Sequence, residues 1–190
     1  LTGRYGNDPR ITDVVDNYEI WIAPTWNPDG YEEVFNGNNM WRKNRRVFQN
    51  GVGVDQNRNY PFGWFSQCSG GNDPSSQTYK GPEPASEAET QTMIALSGDR
   101  NFAKVVDYHS YGREALSGYA CHNHPFEAFA ASEAVALSRA SGYGGRRRSP
   151  SAEGEHFEWQ WAMHGSHSFL IEAHTGFQPS YESAVAEARI

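Results

Sequence analysis

Two apolar runs in this sequence end on a residue that can do chemistry. Val105-Val106-Asp107-Tyr108 leads to His109, and Phe169-Leu170-Ile171 leads to Glu172. A histidine and a glutamate delivered at strand ends suit metal ligation and general-base work, because a neutral imidazole ligates a cation and a carboxylate accepts a proton. A third component is rich in arginine. Trp41-Arg42-Lys43-Asn44-Arg45-Arg46 and Asn57-Arg58-Asn59-Tyr60 set guanidinium groups beside asparagines and aromatics that can fix their rotamers. Such forks hold carboxylates bidentately and stabilise a developing oxyanion. Each feature alone has a plainer reading: a polar strand end for His109 and Glu172, surface ion pairs for the arginines. Asp107, His109 and Ser110 do not make a hydrolase triad, since neighbours on one strand point to opposite faces.

The elements that must position these groups follow from local signals. Asp8 before Pro9 starts a helix with Ile11, Val14 and Val15 on one face, and Tyr18 to Pro24 then reads as a strand. From about Thr25 to Pro84, Gly, Asn, Pro and aromatics are dense and periodicity is weak, the kind of stretch that carries function. Ser86 and Glu89 form a capping box for a helix to about Ser97. Phe102 to Tyr108 reads as a buried strand, Pro125 to Ser141 as an amphipathic helix, Ser168 to Ile171 as an apolar run too short for a helix, and a last helix begins near Tyr181. Helices alternating with buried strands indicate an α/β fold around a mixed, largely parallel twisted sheet flanked by helices, with ligands gathered at strand ends.

Composition narrows the classes further. With 190 residues, 37% of them apolar, the chain can form one domain with its own core. A formal charge of −7 and three lysines disfavour nucleic-acid binding by charge. The basic run Arg146-Arg147-Arg148 reads as a solvated loop. No apolar run approaches the roughly 18 to 20 residues of a membrane span. Cys68 and Cys121 allow one disulfide or none, and neither sits in a C-x-x-C pair. The sequence opens Leu1-Thr2-Gly3-Arg4, without methionine or leader, which is expected of a chain processed or cut from a longer one.

Six segments, taken in order, resemble the zinc metallocarboxypeptidases of the carboxypeptidase A and B type. They are Asn27-Pro28-Asp29-Gly30-Tyr31, Met40-Trp41-Arg42-Lys43-Asn44-Arg45, Gly53-Val54-Asp55-Gln56-Asn57-Arg58-Asn59-Tyr60, Thr78-Tyr79-Lys80-Gly81-Pro82, Ser86-Glu87-Ala88-Glu89-Thr90 and His109-Ser110-Tyr111-Gly112. The similarity runs from about Arg4 to the C-terminus and is weakest between Ala115 and Ser151. It implies a secreted enzyme that removes C-terminal residues from peptides and proteins with one zinc ion held by two histidines and a glutamate; a monomer is expected, though the sequence itself carries no signal of oligomeric state. By resemblance, His109 is the second ligand histidine, Glu172 the general base and Arg42 the group that polarises the scissile carbonyl. Asn57 and Arg58 grip the terminal carboxylate, Ser110 and Tyr111 join the substrate site, and Phe157 lies at the base of the side-chain pocket, implying an apolar or mixed preference.

The departures matter as much. The family's first two ligands lie in a H-x-x-E motif upstream of the helix and strand that open this sequence, so residues 1–190 are expected to be the N-terminally incomplete, C-terminal part of one catalytic domain. His124-Pro125-Phe126-Glu127 has the right pattern in the wrong place, and Pro125 suits a helix start. Pro150 stands where the resemblance implies a carboxylate-capping tyrosine, leaving that role unassigned unless Tyr143 supplies it. Other readings are a non-catalytic carboxylate-binding module with too few ligands for zinc, and a catalyst for peptidoglycan stem peptides or modified C-terminal tails.

Overall fold

The structure is a computed structural model and describes residues 2–188. Its helices are α1 (Pro9–Asn17), α2 (Pro28–Phe35), α3 (Ala88–Arg100), α4 (Glu127–Ala140), α5 (His156–His164) and α6 (Tyr181–Glu187). Its strands are β1 (Val47–Phe48), β2 (Gly51–Val52), β3 (Lys104–Ser110), β4 (Glu114–Leu116), β5 (Arg147–Arg148) and β6 (His167–Ala173). β1 and β2 form a small antiparallel pair, and the main sheet has the order β3-β6-β4-β5. β3 runs parallel to β6, β4 antiparallel to β6, and β5 parallel to β4. The expected mixed α/β sheet is therefore present.

Helices cover the sheet. α5 packs on β6 and β3, α3 on α5, and α4 on β4 and β5. Ala115, Ala130, Ala134, Trp161 and Phe169 form one apolar cluster, and Leu116, Phe157 and Leu170 form another. α5 is buried along most of its length although His156, Glu158 and Gln160 belong to it. These polar groups have internal partners: His156 Nδ1 lies 2.9 Å from Asp107, and Gln160 Nε2 donates to Ser97 Oγ at 2.7 Å. Buried polar groups persist where such partners exist.

Three local expectations need correction. Tyr18 to Pro24 joins no ladder, and Ile22 is 75% exposed. Its separation from the sheet explains this: a crevice of about 1050 Å³ lies between residues 18–26 and β3, and among the described residues β3 pairs with β6 alone. The capping box at Ser86 is absent, because α3 begins one residue later and Ser86 Oγ instead donates to Glu87 Oε1 at 2.6 Å. The Arg146–Arg148 run is not a solvated loop: Arg147 and Arg148 form β5, with Arg147 bonded to Ser117 and Glu127 and Arg148 to Glu114. The irregular stretch from Thr25 to Pro84 also contains α2, whose N-cap Asn27 accepts from the Gly30 N–H at 3.0 Å.

Two anchors tie the long loops together. Cys68 and Cys121 form a disulfide. Beside it, fully buried Glu153 accepts hydrogen bonds from the N–H groups of Cys121 (2.8 Å) and His122 (2.9 Å) and pairs with the His122 ring at 2.8 Å. Burial pushes the Glu153 carboxyl up, but the hydrogen bonds from Ser66, His122 and these backbone groups outweigh it and hold the carboxyl below its usual value. A depressed carboxyl stabilises the fold above its unfolded value, about 4.5, and that contribution is lost as the pH falls through the folded one. Glu153→Gln is thus expected to cost about 2 kcal/mol at pH 7 and progressively less below pH 4.5 in urea titrations.

Next to Glu153, Gly154 has φ +90°, and a Cβ there would stand 2.7 Å from the Arg58 carbonyl oxygen. Only glycine takes this conformation at this approach. Gly154→Ala is expected to lower stability by about 1 to 3 kcal/mol in the same measurement.

Candidate active site

The β3–β6 ladder sets His109 opposite Glu172 in parallel register. Paired residues on parallel neighbours project to one face, and strands lie about 4.8 Å apart. Both side chains line a cavity of about 190 Å³, with Arg42, Asn57, Arg58, Ser110 and Tyr111 around it. The structure thus collects all the sequence-derived residues except Phe157. Phe157 is fully buried behind the cavity wall, packed on Leu116 and Leu170, which do line it.

Each arginine is fixed by groups close in the fold but scattered in the chain. Arg42 follows Trp41 in a loop that Asn27 holds by donating to the Arg42 and Lys43 carbonyls at 3.3 and 3.0 Å. Its Nη2 donates to Asp55 at 2.5 Å. Buried Lys43, whose ammonium is pulled down by desolvation, anchors the same loop by donating to the Pro74 and Ser76 carbonyls. Asn57 and Arg58 sit on a 3-10 turn, Gln56–Arg58, capped by Asp55. The Asn57 side-chain carbonyl accepts from the His156 N–H at 3.0 Å. Arg58 Nη1 lies 2.8 Å from Glu155, and its buried Nε has no hydrogen-bond partner among the described residues.

Tyr111 packs edge-on against Phe177, ring centroids 4.7 Å apart, at the cavity mouth, beyond a cis Ser110–Tyr111 peptide bond. Tyr143 does not reach the cavity; its hydroxyl donates to Glu187 at 2.7 Å. His124 and Glu127 are occupied at the start of α4, His124 Nδ1 by the Phe126 N–H and Glu127 by Arg147.

Electrostatics bias both central groups. Burial pulls the His109 imidazolium down, more than Asp107 and Asp55 raise it, which favours the neutral, ligating form. Burial pushes the Glu172 carboxyl up, and the facing Glu114 adds to this while Arg148 opposes it. Arg148 bridges the two acids, 2.8 Å from Glu114 and 3.7 Å from Glu172. An elevated carboxylate beside a cation suits proton acceptance at neutral pH. Arg148 was missed by sequence reasoning: it lay in a Gly/Arg-rich run that reads as solvent-facing, and no local signal marks it.

His109 fits as one ligand of a metal ion. Among the described residues no three His, Cys, Asp or Glu side chains converge as a complete metal site.

Comparison with known proteins bears on the family and the fold. Metallocarboxypeptidase A of Trichophyton rubrum is 40% identical over 130 residues, covering 64% of this chain and 31% of that protein. Carboxypeptidase A1 of Rattus norvegicus is 32% identical over 186 residues, covering 90% of this chain and 44% of that protein. The match thus spans less than half the length of either relative. Among solved structures, thrombin-activatable fibrinolysis inhibitor superposes with a TM-score of 0.77 at 23% identity over 90% of this chain and 47% of that one. The carboxypeptidase A of Helicoverpa armigera gives 0.70 at 22% identity over 88% of this chain and 50% of that one. These two establish the fold. A family model described as zinc carboxypeptidase matches residues 1–184, nearly the whole chain, and with it the chain belongs to the zinc carboxypeptidase family.

Proposed function

We propose that the protein containing this chain is a zinc-dependent exopeptidase that hydrolyses the C-terminal peptide bond of peptides and proteins. One observation carries the reading: a single cavity gathers a histidine, an elevated carboxylate and arginines on separate walls. Arg58 with Asn57 receives the substrate's terminal carboxylate, which an internal peptide bond cannot offer. The scissile bond then falls toward His109 and Glu172. Glu172 accepts a proton from water and passes it to the leaving amine, while Arg42 offsets charge on the carbonyl oxygen. Bound zinc would supply Lewis acidity, polarising the carbonyl and making water a nucleophile near neutral pH.

His109 would hold the metal from this chain as one of its ligands. The crevice beside β3, whose only strand partner among the described residues is β6, shares Arg42, Asn57, His109, Ser110 and Phe177 with the candidate catalytic cavity. The Cys68–Cys121 disulfide supports secretion into an oxidising compartment.

Glu172→Gln in the full-length, zinc-loaded protein is expected to slow release of C-terminal residues about 10²- to 10⁴-fold with zinc stoichiometry unchanged. His109→Ala is expected to lose the zinc itself, read by metal analysis. Undiminished hydrolysis in the glutamine variant would exclude Glu172 as the base.

A further inference from the structure

We propose that Glu153 is a positioning residue that couples the Cys68–Cys121 disulfide to the Asn57–Arg58 grip, so that opening the disulfide weakens the binding of C-terminal carboxylates. The coupling rests on the carboxypeptidase reading of the same cavity and adds a redox control to it.

Residues 153–156 form a rail that is bonded at every position. Glu153 accepts from the N–H groups of Cys121 and His122 and donates its own N–H to the Cys68 carbonyl at 2.9 Å, so it holds the backbone on both sides of the cross-link. The Gly154 carbonyl accepts from the Tyr60 N–H at 3.1 Å, and Gly154 lies too close to the Arg58 carbonyl to admit a Cβ. Glu155 meets Arg58 Nη1 at 2.8 Å, and the His156 N–H donates to the Asn57 side chain at 3.0 Å. A displacement at Glu153 therefore reaches both residues assigned to the substrate's carboxylate. The Cys68 segment also backs the arginine directly. A Cβ on Gly70, two residues on, would stand 2.9 Å from Arg58 Cβ.

The disulfide keeps the donors in place. Residues 117–126, between β4 and α4, carry no helix or strand, and the cross-link ties them to a segment 53 positions away. Holding so long a loop closed without a covalent bond costs chain entropy. Once the bond opens, the Cys121 and His122 N–H groups are released from Glu153, which is fully buried. A buried carboxylate without donors is strongly disfavoured, so it moves with them or draws in water. Cys121 is exposed, within reach of a reductant. With a phosphine, phosphorus attacks one sulfur and the S–S bond breaks. Water then delivers oxygen to phosphorus, giving the phosphine oxide, and its two protons leave Cys68 and Cys121 as thiols.

The test is calorimetry of Nα-acetyl-leucine and its amide on the full-length, zinc-loaded protein before and after phosphine treatment, with released thiols and zinc counted. Reduction is expected to raise the Kd of the acid at least about tenfold and leave that of the amide within about twofold. The KM for peptides should rise in step while kcat stays within about twofold. The Cys68→Ser, Cys121→Ser double variant should show the same loss without phosphine, and Glu153→Gln should reproduce it with the disulfide intact, Glu153→Asp restoring part. Unchanged affinity after complete thiol release overturns the coupling, whether or not any variant folds. A fall in kcat or zinc content that matches the loss of binding also overturns it, marking a cross-link that is structural alone. Equal binding of acid and amide by the oxidised protein would sink the carboxylate grip and the coupling together. Redox-dependent binding of the acid without peptide hydrolysis would uphold the coupling and sink the catalytic reading.

Discussion

In the parallel ladder of β3 and β6, side-chain direction alternates residue by residue, and the observed register sets His109 directly opposite Glu172 on one face. The rest of the site is arranged around that pairing. A slip by one residue would leave the imidazole facing the cavity and turn the carboxylate into the opposite layer. The apolar residues preceding Glu172 enforce the register: Phe169 is committed to the cluster with Trp161 and Ala134, and Leu170 to the one with Phe157 and Leu116. Packing on both faces of β6 thus fixes a chemical pair at its end.

The arginines obey a different constraint. They sit on loops with little regular structure, and a loop holds a charged side chain in place only if its backbone is tied down. Asn27, Lys43, Asn44 and Asn59 do this by bonding to distant backbone or carboxylate groups, as Asn59 does by donating to the Lys80 carbonyl at 2.8 Å. Such a network is stable only when its members are satisfied. The same logic explains why each cavity arginine has a carboxylate at hand: a guanidinium held without substrate needs a counter-charge, and the substrate must share or displace it.

Much of this was legible in the sequence where a signal is local. The runs into His109 and Glu172 are short, apolar and β-branched or aromatic, and both became strands. α1 follows from Asp8-Pro9, with Asp8 accepting from the Arg10 N–H. Asn27-Pro28 carries the same signal for α2, with Asn27 accepting from the Gly30 N–H. Other features depend on partners far along the chain. Tyr18 to Pro24 has strand chemistry, yet a strand exists only when paired. α5 hides polar residues whose partners Asp107 and Ser97 lie 49 and 63 positions away. Glu155 and Arg148 gain their meaning from Arg58 and Glu114, which the sheet and loops bring to them.

The central claim is that His109 and Glu172 act on one metal-centred site from adjacent strands. Anomalous diffraction at the zinc edge from crystals of the zinc-loaded full-length protein tests it most directly. The account predicts a peak within bonding distance of the His109 imidazole, with the Glu172 carboxylate outside direct ligation and one water away. A peak bound elsewhere in the molecule, with His109 making no contact to it, would contradict the account.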